Sequence, residues 1–196
     1  MKQPVLREAA VIGGMLFGAF SSFWATLVFF VATPPYHYGA RVAGMFGLVG
    51  AGGVLFAPWA GRLSDRKGPA FTVTLAILLC IGSFVVFDLA GHRIWGLVAG
   101  VILLDLGVQT GHVANQTRIY ALIPEARSRL NTVYMVTYFL GGALGSALGA
   151  WGWTRWRWNG VCAAGAVQLL VALGVRGWSH WTNAPAGNPA RIAVSR

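Results

Sequence analysis

Apolar residues in this chain do not alternate; they run. Six stretches, at about 9–32, 41–60, 69–90, 94–123, 130–151 and 159–175, are nearly free of charge. A helix rising 1.5 Å per residue needs about 20 such residues to cross a bilayer's hydrocarbon core. The gaps between them are short and hold breakers or charge: Thr33 to Gly39 with Pro34 and Pro35, Gly61 to Gly68, Gly91-His92-Arg93, Pro124 to Arg129, and Trp153 to Trp158. The pattern predicts an all-α integral membrane protein of six transmembrane helices. Residues 1–8 then form a cytoplasmic N-terminal segment and 9–177 one six-span unit. Residues 178–196, which hold Asn, Pro, Gly and Arg without periodicity, form a loose cytoplasmic tail.

Composition agrees with the pattern. Only 10% of the 196 residues are charged, 56% are hydrophobic, and the mean hydropathy is +0.62. A soluble domain carries about a quarter charged residues. That deficit excludes a disordered chain, a secreted disulfide scaffold and an ordinary cytosolic enzyme. The formal charge of +10 does not point to nucleic acid, because the basic residues sit in the gaps rather than on one water-facing surface. They encode orientation instead. Lys2, Arg7, Arg62, Arg66, Lys67, Arg118, Arg127, Arg129, Arg176, Arg191 and Arg196 fall on one side, against Arg41, Arg93, Arg155 and Arg157 on the other. This asymmetry predicts that both termini are cytoplasmic. Trp151, Trp153, Trp156 and Trp158 would mark the outer interface, and Trp59, Trp178 and Trp181 the inner one. The first run is too long for a signal-peptide core and ends without a clear cleavage site, so it reads as a retained span. Cys80 and Cys162 lie inside separate apolar runs, without metal-ligand spacing, and read as buried free thiols.

Polar residues inside a bilayer are costly unless they face a partner or water. The third and sixth runs hold few of them (Gln168 is the main one in the sixth) and read as lipid-facing supports. The fourth run holds Asp105, Gln109, His112, Asn115 and Gln116. At 100° per residue, positions 105, 109, 112 and 116 share a stripe about 60° wide. A charged Asp at a helix centre costs about 2.5–3.5 kcal/mol on insertion scales. Asp105 is therefore expected to face water, find a partner or hold a proton. The stripe can be read as a cavity wall or as hydrogen-bonded packing, and the cavity reading is preferred. Arg118 lies off the stripe, where it can snorkel to the surface. Small residues form a second pattern: Gly14, Gly18 and Ser22; Ala43, Gly47 and Ala51; Gly141, Gly145 and Gly149. Such faces let helix backbones approach closely, and those of the second and fifth runs are expected to need further helices to cover them.

The gap Gly61-Arg62-Leu63-Ser64-Asp65-Arg66-Lys67-Gly68-Pro69 resembles the signature loop of the major facilitator superfamily, Gly-x-Leu-x-Asp-Arg-x-Gly. Gly61 and Gly68 would allow a tight turn there, and Asp65 could complement a helix N-terminus. The continuation Pro69-Ala70, where the family's fullest form has a basic residue, resembles the copy in the second half of these transporters. Arg7-Glu8-Ala9-Ala10 resembles the end of their central cytoplasmic linker. Pro124-Glu125-Ala126-Arg127-Ser128-Arg129 resembles the loop before their eleventh span, and Leu130 to Tyr134 resembles bacterial drug and sugar efflux members. The resemblance implies the C-terminal six-helix half of a transporter in the bacterial inner membrane, of the drug:proton antiporter type. The first and fourth spans would line a cavity, the second and fifth would meet the other half, and the third and sixth would face lipid.

On that reading Asp105, Gln109, His112 and Gln116 form the substrate and proton cavity, with Ser22, Trp24, Tyr134 and Tyr138 as further candidates. Gly61, Asp65, Arg66 and Gly68 belong to the signature loop. No cofactor, metal or nucleic acid is implied, and no enzyme activity. The partners are the bilayer, a small-molecule substrate and a second six-span half or a second copy. A non-transporting fragment or membrane-assembly protein is the alternative. A six-span intramembrane serine protease fits less well: Ser146 is followed by Ala147 rather than glycine, and the sixth run offers no histidine base.

Overall fold

The computed structural model describes residues 3–51 and 57–182, and all but the connections are helical. The elements are α1 (Pro4–Ala32), α2 (Ala40–Ala51), α3 (Ala57–Lys67), α4 (Pro69–Ala90), α5 (Ile94–Tyr120), a 3-10 turn (Pro124–Ala126) and α6 (Arg127–Thr182). Among the described residues four helices are long and apolar enough to cross a membrane: Pro4–Ala32, Pro69–Ala90, Ile94–Tyr120, and Pro124–Ser179, which takes in most of α6. Of the second expected span, α2 and the start of α3 are described; residues 52–56 lie outside the described residues, as do Lys2, Arg191 and Arg196.

Each boundary has a local cause. Proline at the first helical position starts α1 and α4, where its missing N–H is not needed. Pro34 forces Thr33 into extended backbone and ends α1 there. The signature loop corrects its sequence reading. Gly61 lies inside α3, which continues to Lys67, and the whole reversal into α4 falls on Gly68, whose φ of +86° favours glycine. α6 departs from helical geometry at Trp156 and Arg157, so its 56 residues form two arms, 127–155 and 158–182. The arms fold back on each other so tightly that a side-chain carbon at Gly160 would strike the carbonyl of Gly152. Two further expectations change. Trp178 to Thr182 continue the last helix rather than beginning a loose tail, and Pro4 to Glu8 are already helix rather than linker.

α1 is the central element and lies against both arms of α6. The glycine faces of α1 and the first arm meet directly. A side-chain carbon at Gly141, Gly145 or Gly149 would collide with the backbone of Gly14, Gly18 or Ser22, respectively. The carbons' absence lets the two backbones touch. Ser22 clamps the junction, its Oγ donating to the Gly145 carbonyl at 2.7 Å. From the second arm, Gln168 donates through Nε2 to Ser22 Oγ at 2.9 Å and is only 3% exposed. Gln168 therefore faces α1, not lipid. The expectation that the fifth run's glycines await another helix is corrected too, because α1 already covers them. The small-residue face of α2 is different: a side-chain carbon at Gly44 or Gly47 would meet nothing within 4 Å among the described residues.

The core beneath α1 is aromatic at one end. Phe23 stacks on Phe87 at 4.4 Å and Phe30 on Trp158 at 3.7 Å, while Trp158 Nε1 donates to the Phe87 carbonyl at 2.9 Å. Tyr36, in the connection after α1, donates to the Gly91 carbonyl at 2.6 Å and joins two connections at this far end of the bundle. Burial pushes its phenol up to about 12. Cys80 and Cys162 are buried free thiols.

Candidate functional site

Asp105, Gln109, His112 and Gln116 all lie on α5, and the contacts of its polar members divide by partner. Asp105, 9% exposed, turns toward the junction of α1 and α2. A side-chain carbon on Gly50 would lie 3.1 and 3.2 Å from the two carboxylate oxygens and 3.0 Å from Trp24 Cζ2. Glycine at position 50 thus leaves α2 close to the carboxylate without pressing on it. Asp105 Oδ2 is buried and accepts no hydrogen bond among the described residues, and Trp24 Nε1 is likewise unpaired. A buried acceptor and a buried donor beside the same glycine are costly to leave unsatisfied. Such groups suit a ligand, a water or a proton.

Farther along the stripe the polar groups turn to the first arm of α6. His112 Nδ1 lies 3.3 Å from the Tyr134 hydroxyl, and its ring sits 4.9 Å from that of Tyr138. Tyr138 stacks on Phe17 of α1 at 4.2 Å. Gln116 Nε2 donates to Asn131 Oδ1 at 3.4 Å, an acceptor shared with the Tyr120 hydroxyl at 2.9 Å. Gln109 is half-buried between these two groups. The structure therefore brings Trp24 to Asp105, and Tyr134 and Tyr138 to His112. It does not bring Ser22, whose hydroxyl is committed to the α1–α6 junction.

The composition of the fourth run did not disclose a second polar centre at the end of the bundle where α1 begins. Glu8, 5% exposed, receives Arg118 Nη2 at 2.5 Å on one oxygen and Arg176 Nη1 at 3.4 Å on the other. Arg176 also donates to Thr74 Oγ1 at 3.2 Å and to the Ala70 carbonyl at 3.3 Å. Four helices are joined in this way. Arg118 is a partly buried ion-pair partner of Glu8 rather than a snorkelling side chain. The partners are 110 and 168 residues apart in the chain, so no local pattern links them. The available signal was a lone glutamate abutting a long apolar run. In the signature segment Arg62, Asp65, Arg66 and Lys67 are exposed on α3, and Asp65 makes no ion pair or hydrogen bond among the described residues.

Membrane-length helices packed through glycines, with a polar stripe turned into the bundle, define an integral membrane protein of the polytopic helical class. No cluster of His, Cys, Asp and Glu suited to a metal occurs among the described residues. Residues 12–192 match the Major Facilitator Superfamily, and the chain belongs to that family. It is 40% identical over 173 residues to the uncharacterized transporter YgaY of Escherichia coli O157:H7, a match covering 88% of this chain and 44% of the relative. The probable transporter SCO4007 of Streptomyces coelicolor is 37% identical over 192 residues, 97% of this chain and 42% of its own length. The multidrug resistance protein MdtH of Shigella dysenteriae is 25% identical over 138 residues, 69% of this chain and 34% of its own. The chain spans less than half the length of the curated relatives it matches.

Proposed function

We propose that this chain is the C-terminal six-helix half of a secondary transporter that exports a small molecule in exchange for protons. Residues 9–177 form the six-span unit, and both termini lie in the cytoplasm of a bacterium whose inner membrane holds the protein. Asp105 carries the proton. Gln109, His112 and Gln116 offer hydrogen bonds to substrate, with Trp24, Tyr134 and Tyr138 as neighbouring walls. The observation that carries this reading is the unpaired, buried carboxylate of Asp105 beside Gly50 and Trp24. A structural carboxylate at membrane depth would be expected to hold a partner.

The opposing wall comes from a second six-span half. Two observations support that requirement: the open Gly44–Gly47 face of α2, and the apolar surface of the first α6 arm, where Val136, Phe139, Leu140 and Leu144 are exposed. Asp65, exposed at the end of α3, would then cap a helix N-terminus of the other half when the cytoplasmic side closes.

Orientation is checked with reporter fusions. A reporter after Gly68 reads inside and one after Arg93 reads outside; the reverse pattern rejects the assignment. The function itself is checked by reconstitution at limiting protein-to-lipid ratio, with single-molecule counting and a flux measurement. Vesicles holding one chain show no flux, whereas flux appears with a second half or a dimer and is impaired by Asp65→Ala. Flux from single-chain vesicles refutes the partnership, and no flux in any assembly favours the non-transporting alternative.

A further inference from the structure

The side of the bundle formed by α4 and the second arm of α6 carries a groove of about 470 Å³. This volume lies within the usual range for a small-molecule site, about 300–1,000 Å³. Ile81, Phe84, Val85 and Leu170 are among the residues that form its walls, and Asp88 and Asn159 line it at the far end of the bundle. The surface around it is apolar and exposed, including Leu78, Leu89, Val167 and Val171, as expected of a face turned to lipid. Exposed Trp151 and Trp156 at the same end suit the level of the headgroups.

An apolar wall does not select among lipids, because acyl chains are as apolar as leucine and find similar contacts in the bulk membrane. Selection must come from the polar end. Asp88 is the single carboxylate at the far end among the described residues; Glu8, Asp65 and Glu125 lie at the opposite end, and Asp105 within α5. No hydrogen bond or ion pair engages Asp88 among the described residues. No cation lines the groove, and Asn159 offers an amide oxygen beside it. Arg93, Arg155 and Arg157 belong to the same end of the bundle but do not line the groove, so its polar corner fits a compact cation with several N–H donors.

We propose that the α4–α6 groove binds one aminophospholipid, phosphatidylethanolamine, with an acyl chain along Phe84 and Leu170 and its ammonium on Asp88 and Asn159. A primary ammonium has three donors and makes charge-assisted hydrogen bonds to carboxylate. A choline headgroup has the same charge but no N–H donor, and phosphatidylglycerol brings net negative charge toward Asp88. The site is separate from the α5 stripe and does not depend on transport.

The test uses the full chain in nanodiscs of phosphatidylethanolamine, phosphatidylcholine and phosphatidylglycerol in equal amounts with matched acyl chains. Native mass spectrometry identifies the lipid that survives release. The wild-type chain retains one phosphatidylethanolamine in preference to the other two. Asp88→Asn lowers its ratio to phosphatidylcholine by about fivefold, the size of a partly exposed ion pair. Ala166→Trp, which fills the groove, removes bound lipid of every headgroup. Asp88→Asn keeps the surrounding contacts and serves as the primary variant; thermal unfolding in detergent checks both proteins. An unchanged headgroup ratio in Asp88→Asn overturns the proposal. So does phosphatidylglycerol retained at least as well as phosphatidylethanolamine, or undiminished retention in folded Ala166→Trp.

Discussion

Replacing Asp105 by Asn abolishes proton-driven movement of substrate by the assembled transporter while leaving membrane insertion unchanged. Asn keeps the size of the side chain and its fit beside Gly50, where the carboxylate oxygens lie close to the α2 backbone. What it loses is the ability to alternate between a neutral and an anionic form. A proton-coupled cycle needs that alternation at some group, and Asp105 is the acidic residue within a membrane-length helix interior whose buried oxygen is left unpaired. Exchange of labelled for unlabelled substrate, which requires no net proton movement, should persist in the variant. Flux driven by a pH gradient should fall to background. His112→Gln has a smaller effect, because His112 already has Tyr134 as a hydrogen-bond partner. If Asp105→Asn retains pH-dependent flux, the stripe is packing and the proton path lies elsewhere.

The second large effect is on stability. Glu8→Ala leaves the partly buried guanidinium groups of Arg118 and Arg176 without their shared, buried carboxylate. Removing one member of a buried ion pair costs about 3–5 kcal/mol, mostly through the charge left unpaired. The expected result is a marked fall in the unfolding midpoint in detergent. Adding Arg118→Met to Glu8→Ala should recover part of the loss, because one orphaned guanidinium is removed with its partner. The cycle of single and double variants isolates that coupling. A Glu8→Ala protein within about 0.5 kcal/mol of the parent, the range of ordinary surface changes, would show that the cluster is solvated.

Hydropathy made the long helices legible because it is a property of composition along the chain. The run at 69–90 coincides with Pro69–Ala90, and the gap at 153–158 contains the reversal at Trp156 and Arg157. Direction is a different quantity. Gln168 sits in so apolar a run that its segment read as lipid-facing, yet that apolarity is why a lone amide turns inward to find Ser22. Likewise the glycines of the fifth run announced close packing without naming the neighbour. The stripe from Asp105 to Gln116 was legible because helical periodicity aligns its members. Glu8 with Arg118 and Arg176 was not, because their encounter depends on how three helices are placed.

The meeting of Gly14, Gly18 and Ser22 with Gly141, Gly145 and Gly149 also has a mechanical consequence. These contacts repeat once per turn, with little side chain between the two rods to act as a compliant layer. A slide of a fraction of a turn would drive bulkier neighbours such as Phe17 into the opposing backbone, so the two rods are keyed against shear. Whatever tilts α1 must carry the first arm of α6 with it. The freedom to pivot then belongs to α2, where a side-chain carbon at Gly44 or Gly47 would meet no such teeth among the described residues.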